Sequence, residues 1–266
     1  MAAVSQALLE FARNHRQPPA PGLQVVSTPR YHVVLHPDFP IPGPNSVGHI
    51  RTSTGEADQL IDEVQEIIAP HGLPVFWVLA PETEPTNFAD FLEAHGVHLD
   101  RQPQVSVMVL PIDAPVHAPE MRGLQIRNAL ADTESFLAAD AVNREAFRST
   151  LEPDRGNIER RRTNLLAAGN RRVLLATLDG EPAGSAGVTF VPPAGAIING
   201  GAVRPKFRGR GVYRAMVAAR LAMAREAGVS GLLVWGGDMS APILARLGFE
   251  TVGWRRFYLD TSAVTG

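Results

Sequence analysis

Val203–Val217 reads VRPKFRGRGVYRAMV. Four arginines, a lysine, a proline and two glycines lead straight into an apolar pattern of helical period. Proline at 205 closes the preceding apolar stretch, because it cannot donate to a strand ladder. Glycines at 209 and 211 let the backbone approach a partner closely. The first N–H groups of a helix have no intrahelical acceptor and lie at the positive end of its dipole. A strand, a basic glycine turn and a helix start in that order make a seat for an anion, phosphate above all. The two common nucleotide patterns are absent. No Gly-Lys-Ser/Thr ends the turn, and Arg214 stands where the dinucleotide fingerprint needs its third glycine.

Working outward, the pattern predicts helices over 130–148, with Asp132 as N-cap, and over 157–169, closed by Gly169. Two apolar strands follow, joined by an Asp179-Gly180 hairpin turn. Ala196–Val203 is a buried strand leading into the basic turn. The next helix runs from about Val212 to Ala227, with Val212, Met216, Ala219 and Met223 on one stripe and Val217, Leu221 and Ala224 beside it. A strand at 231–237, a short helix from Ser240 to Gly248 and a strand at 255–260 complete the series. The order is that of an α/β layer fold with a mixed sheet.

A chain of 266 residues suits two domains. Residues 1–118 hold 5 Lys+Arg against 13 Asp+Glu, a balance of −8, and residues 119–266 hold 20 against 14, a balance of +6. All eight histidines lie at or before His117. The proline-dotted stretch Leu110–Gly123 marks the change, which places a boundary at 118/119. There is no cysteine, which excludes disulfides, thiolate metal sites and a cysteine nucleophile. The N-terminal residues lack the pattern of a secretory leader, and Val4, Leu8 and Phe11 share one face of a short docking helix. No apolar run approaches a membrane span. A cytoplasmic protein is expected, with no membrane partner.

Arg208–Tyr213, following Val203-Arg-Pro, resembles the pyrophosphate loop of the GNAT acyltransferases, Arg/Gln-x-x-Gly-x-Gly/Ala. Arg208 and Gly211 match, and Tyr213 departs from the final small residue. Ile243–Phe249, ILARLGF, resembles the second motif of that family, and the likeness runs from Gln125 to about Asp260 in the family's order. The resemblance implies the GNAT acyl-CoA N-acyltransferase fold over 119–266, with acetyl-CoA or another acyl-CoA as donor and no metal. It implies that the backbone of Arg208, Gly209, Arg210, Gly211, Val212 and Tyr213 holds the pyrophosphate. The pantetheine would pair with the strand at Ala202 and Val203, and Ser240 would offer a polar contact. The oxyanion of transfer would meet a backbone N–H near Ala202 or Val203.

The acid and base are less well marked. The resemblance implies a tyrosine acid four residues before Gly248, where Leu244 stands. Of the three tyrosines, Tyr31, Tyr213 and Tyr258, the last is the candidate substitute, against a packing role. Asn199 occupies the strand position where the family commonly has a glutamate base; it can position water but cannot take a proton. Glu145, on a helix that walls the acceptor site in the family, is the candidate base, against a solvated role. Loss of the proton to water, without a dedicated base, is the further alternative.

In the first half, the segment from Leu73 to Ile112 reads strand, helix, glycine turn and strand, with Trp77 and Gly96. The last segment repeats this with Trp235 and Gly248. Residues 1–118 are therefore read as a smaller degenerate GNAT-like domain against a unit of chance likeness. Its acidic balance would steer a cationic amine. The Glu159–Arg162 run fits a solvated helix face, and His95-x-x-His98 lacks a third ligand. The expected function is transfer of an acetyl group to a primary amine of a small molecule or peptide. The alternative is an acyl-CoA-binding or sensing module without turnover. Nucleic-acid binding by the RGRG turn fits less well, because no stacking aromatics interleave with it. A homodimer is compatible with all of these readings.

Overall fold

The computed structural model describes residues 4–149 and 154–264. In chain order the elements are α1 (Gln6–Asn14), β1 (Gln24–Ser27), β2 (His32–Leu35), β3 (Ser46–Gly48), α2 (Ala57–Ile68), β4 (Val75–Leu79), α3 (Phe88–Ala94), β5 (His98–Pro111), β6 (Leu124–Asn128), α4 (Thr133–Phe147), α5 (Arg155–Ala168), β7 (Arg171–Leu178), β8 (Glu181–Val191), β9 (Gly195–Val203), α6 (Val212–Glu226), β10 (Gly231–Gly236), α7 (Ala241–Arg246) and β11 (Glu250–Asp260). The mixed α/β fold is as expected. The chain groups into two compact units: 1–14, 108–235 and 242–252 form one, and 15–107, 236–241 and 253–266 the other. Residues 108–118 thus group with the basic half, and 253–266 with the acidic one.

In the first unit the strand order is β5-β10-β9-β8-β7-β6. β6 to β9 pair antiparallel, and β9 pairs with β10 in parallel. The Asp179-Gly180 hairpin forms as expected, with φ of 52° and 82°. Both values are left-handed, as a two-residue turn matched to strand twist requires. Asp132 caps α4 by accepting from the Ser135 N–H at 2.7 Å. Alternate residues of β7 go to opposite cores. Val173 and Leu175 pack with Phe136, Ala139 and Val142 of α4, whereas Ala176 and Leu178 share a cluster with Val212 and Met216 of α6. A strand covered on both faces reads as a continuous apolar run, and RRVLLATL does so. α6 buries Val212, Met216, Val217, Leu221 and Ala224 as expected, and Arg220 with them.

Gly231 opens β10 under the backbone of β5. A Cβ there would stand 2.4 Å from the Leu110 carbonyl oxygen and 2.6 Å from Leu8 Cδ2. The backbone cannot yield as a side-chain tip can. Gly231→Ala is expected to cost about 2 kcal/mol, as overpacking of a tight core does, read from the midpoint of urea unfolding.

The second unit orders its strands β1-β2-β3-β4-β11-β5. Leu60, Ile61, Val64 and Ile68 of α2 pack with Val33, Leu35, Val75, Trp77 and Tyr258 from the strands. Trp77 is fully buried, and its indole N–H donates to Asp260 Oδ2 at 3.0 Å. Gln65 Nε2 donates to the same oxygen, and the Ser262 N–H and hydroxyl donate to Oδ1. Burial alone would raise the Asp260 carboxyl; bonds from Ser262, Trp77 and Gln65 outweigh it and hold the group below its ordinary value. A depressed carboxyl gives stability above its unfolded pKa, lost as pH falls through the folded one. Asp260→Asn is expected to cost about 1.5 kcal/mol at pH 7, typical of hydrogen bonds to a charged group. It is also expected to flatten the acid limb of the stability curve below about pH 4.

The segments around Trp77 and Trp235 share one element order. β4, α3, Gly96 and β5 match β10, α7, Gly248 and β11, and the two glycines share left-handed φ values of 75° and 94°. Among the described residues, no helix is long and apolar enough to cross a membrane.

Candidate functional site

The site lies in the first unit, where β9 gives way to α6. β9 carries a bulge. Gly187 of β8 faces Asn199, but Ser185 faces Ala202, so three residue steps on β9 answer two on β8. Gly200 takes up the extra residue at φ 57°. On its other side β9 pairs with β10 only at Ala196–Leu232 and Ile197–Leu233. Past Ile197 no strand among the described residues covers that edge. The Arg204 N–H turns toward β8, donating to Ala183 O at 2.9 Å. Alternation along an extended chain then sends the Val203 N–H and C=O to the uncovered edge, and Arg208 Nε donates to that carbonyl at 3.2 Å.

The basic turn is built from inside. Pro205–Phe207 forms one tight helical turn whose Phe207 is buried in the α6 cluster. Gly209 and Gly211 have φ of 75° and 89°. α6 starts where Ala215 N donates to Gly211 O at 3.0 Å. Among the described residues, no acceptor meets the N–H groups from Gly209 through Arg214. Six consecutive unsatisfied donors at a helix start attract an anion. Arg208 and Arg210 are exposed, and Arg214 Nε donates to His117 O at 3.1 Å. A Cβ on Gly211 would meet Pro119 Cγ at 3.1 Å and Met121 Sδ at 3.3 Å, so the turn is packed from behind.

On the α6 face of the sheet, the Tyr213 ring lies under the bulge, where a Cβ on Gly201 would stand 2.9 Å from its Cε2. Arg220 is almost fully buried beside it. Its Nε donates to Met216 O at 3.0 Å and its Nη1 to Gly187 O at 3.3 Å. Its Nη2 points toward the Tyr213 hydroxyl but meets no acceptor in hydrogen-bond geometry among the described residues. Burial brings the Arg220 guanidinium down to about 10 and pushes the Tyr213 phenol up.

The α4/α5 face is also polar. Asn199 Oδ1 accepts from Arg171 Nη2 at 3.1 Å. Arg171 Nε is buried without an acceptor among the described residues. Burial, with Arg161 nearby, lowers this guanidinium to about 10. Asp140 of α4 pairs with Arg144 at 2.8 Å and Arg161 at 2.9 Å. Asn143 Nδ2 reaches Ser185 Oγ at 3.3 Å. Glu145 forms an ion pair with Arg204 at 2.8 Å, close in distance but off the Nε–H axis.

The sequence model of the acetyltransferase (GNAT) family matches residues 136–249, which run from α4 to the end of the turn after α7. Residues 136–249 thus carry a GNAT-family domain. No curated protein matches the chain. Among solved structures, a GCN5-related N-acetyltransferase from Kribbella flavida superposes with a TM-score of 0.66 at 18% identity, covering 90% of each chain. A functionally unknown conserved protein from Staphylococcus epidermidis ATCC 12228 gives 0.67 at 13% identity, over 97% of this chain and 99% of its own. A tandem GNAT protein from the clavulanic acid biosynthesis pathway gives 0.61 at 18% identity, over 96% and 92%. The GNAT fold therefore extends over nearly the whole chain. The family match is confined to 136–249, and the wider likeness is one of fold.

The remaining expected site residues are dispersed. Tyr258 is buried in the core of the second unit, paired in register with Trp77, and serves packing there. Ser240 also falls in the second unit, its hydroxyl donating to Gly237 O at 3.3 Å. Leu244, in the position of the family tyrosine, is fully buried. Asn199 and Glu145 lie on the α4/α5 side of the first unit, each engaged by an arginine. Arg171 and Arg220 are guanidinium groups of this region, each with a buried nitrogen lacking a hydrogen-bond partner among the described residues, that the sequence pattern does not single out. Arg220 follows Val212 and Met216 at four-residue spacing, so its place on the apolar stripe is the one signal it gives.

Proposed function

We propose that residues 119–266 are the catalytic domain of an acyl-CoA-dependent N-acyltransferase that moves an acetyl group from acetyl-CoA to a primary amine. Residues 1–118 are its degenerate GNAT-like companion, except that 1–14 and 108–118 pack with the catalytic unit. The single observation that carries this reading is the run of unsatisfied N–H groups from Gly209 to Arg214, beside the uncovered edge of β9. The pyrophosphate belongs on the first and the pantetheine on the second, with the Val203 N–H as its partner. The +6 balance of this half favours a polyanionic donor. Ala202 and Val203 follow the bulge, where the backbone can turn a donor toward the thioester oxygen.

In direct transfer the neutral amine nitrogen bonds to the thioester carbonyl carbon, the C–S bond breaks, the nitrogen gives up one proton to water, and the leaving thiolate takes one proton from water. Glu145 is held by Arg204, Asn199 has its oxygen committed to Arg171, and Tyr258 belongs to another core. The amine accordingly arrives neutral, its proton lost to water. The setting is the cytoplasm, the acceptor a small molecule or peptide, and neither metal nor nucleic acid takes part. A second reading, acyl-CoA binding without turnover, draws on Leu244, which supplies no acid.

Calorimetric titration with acetyl-CoA and release of CoA thiol with a panel of amines test both readings. Micromolar binding with amine-dependent thiol release is expected. Binding without release by any amine favours the second reading, and absence of binding defeats both.

A further inference from the structure

The α4/α5 face of the sheet holds a buried guanidinium donor, the Arg171 Nε–H, that meets no acceptor among the described residues. Asp140 is a buried carboxylate and is shared by Arg144 and Arg161. Arg171 lies near Arg161 and has no carboxylate partner among the described residues. Its Nη2 is taken by Asn199, and its buried Nε–H by nothing described. A guanidinium can only donate, so the Asn199 atom facing it is the amide oxygen. The NH2 of the half-buried Asn199 is then the group turned away from Arg171, left to meet a partner from outside. A Cβ on Gly187 would stand 2.2 Å from Asn199 Oδ1 and 3.3 Å from Arg171 Nη2. The glycine is thus what allows the pair to form across β8. A buried donor left unmade costs about 1–3 kcal/mol, more when charged, and a buried cation needs an anion.

We propose that the acceptor amine also carries a carboxylate, and that Arg171 and Asn199 hold it against the α4/α5 face of β8 and β9. This rests on the acyltransferase reading for the acceptor's role, while the anion seat stands on its own geometry. Asn199 lies one residue before the bulge and three before Ala202, so a molecule anchored here extends along β9 toward the place proposed for the thioester. Arg171 and Asn199 act in this as binding and positioning groups; neither moves a proton.

The test is a nuclear magnetic resonance titration of the full chain, reading the Arg171 Nε–H and Asn199 side-chain NH2 signals. Propionate is the probe and propionamide, of the same shape without charge, its control. Propionate is expected to shift both signals saturably with an apparent Kd of about 1–10 mM, in keeping with the affinity of a five-atom ligand. Propionamide is expected to leave them in place. In Arg171→Gln the Asn199 response is expected to weaken at least about tenfold, with acetyl-CoA affinity unchanged in the same sample. Signals unmoved by propionate at about 100 mM, or moved equally by propionamide, overturn the proposal whether or not acetyl-CoA binds; the wild-type titration decides this even where the variant does not fold. A propionate response without acetyl-CoA binding leaves the anion seat standing and removes the acyltransferase reading instead.

Discussion

Gly211→Asp is expected to reduce acetyl-CoA affinity at least about 100-fold, or some 2.7 kcal/mol. Three effects combine. Gly211 sits at φ 89°, where an L-residue carries strain of about 1–2 kcal/mol. The new Cβ presses on Pro119 and Met121 at 3.1 and 3.3 Å. The third effect is decisive. Residue 211 is the N-cap of α6, and aspartate in that place turns its carboxylate onto the N–H two or three residues ahead. The protein's own anion then occupies the donors proposed for pyrophosphate and repels a second one. Capping offsets part of the strain, so the variant should still fold, with a melting temperature within several degrees of wild type. Calorimetry and a thermal melt on the same preparation check this. Unchanged affinity in a folded variant would remove the pyrophosphate from this turn.

Lowering the pH from about 6.5 toward 4 is expected to remove on the order of 5 kcal/mol of stability from the second unit. His32 and His49 lie edge to face with ring centroids 5.9 Å apart. Neither nitrogen of the buried His32 ring meets a partner in hydrogen-bond geometry among the described residues, and His49 Nε2 lies 3.0 Å from His15 O. Burial first, and then the Arg16 guanidinium, bring both imidazoles down to about 4, and burial also lowers His15. The unfolded chain takes up protons near pH 6.5, while the folded one declines them until about 4. Their contribution is therefore complete above the unfolded value and lost as pH falls through that window. The Asp260 contribution is lost below it. Urea unfolding at pH 7.0, 5.5 and 4.5 measures the loss. In His32→Phe the slope across the window should fall by about half. An unaltered slope there would assign the acid sensitivity to other groups.

What the sequence makes legible is local. Pro205, Gly209 and Gly211 mark the turn because each acts through its own backbone. Asp132, Gly169 and the Asp179-Gly180 pair mark ends and turns for the same reason. The short strands β1, β2, β3 and β6 leave no such mark. Three of them have only three or four residues, and β1 is mostly exposed, so neither alternation nor an apolar run has room to appear. Arg220 is hidden in the pattern because a charge on a helix is ordinarily solvated; here the peptide carbonyls of Met216 and Gly187 receive it. Arg171 and Asn199 are 28 residues apart and meet through the pairing of β7, β8 and β9. Their contact depends on register, which residue types alone do not encode. Tyr258 could face either side of its strand, and its pairing with Trp77 decides for the core.

The uncovered edge of β9 has a consequence for handling the protein. From Ile198 to Val203 one row of peptide groups lacks a strand partner among the described residues, and such a row can template addition of a strand from another molecule. The bulge at Gly200 interrupts the row after two residues and twists the remainder out of line. A foreign strand therefore finds too short a straight stretch to zip along, whereas a slender, flexible chain can follow the bend. The kink at this edge thus also disfavours edge-to-edge pairing of β9 with a second molecule.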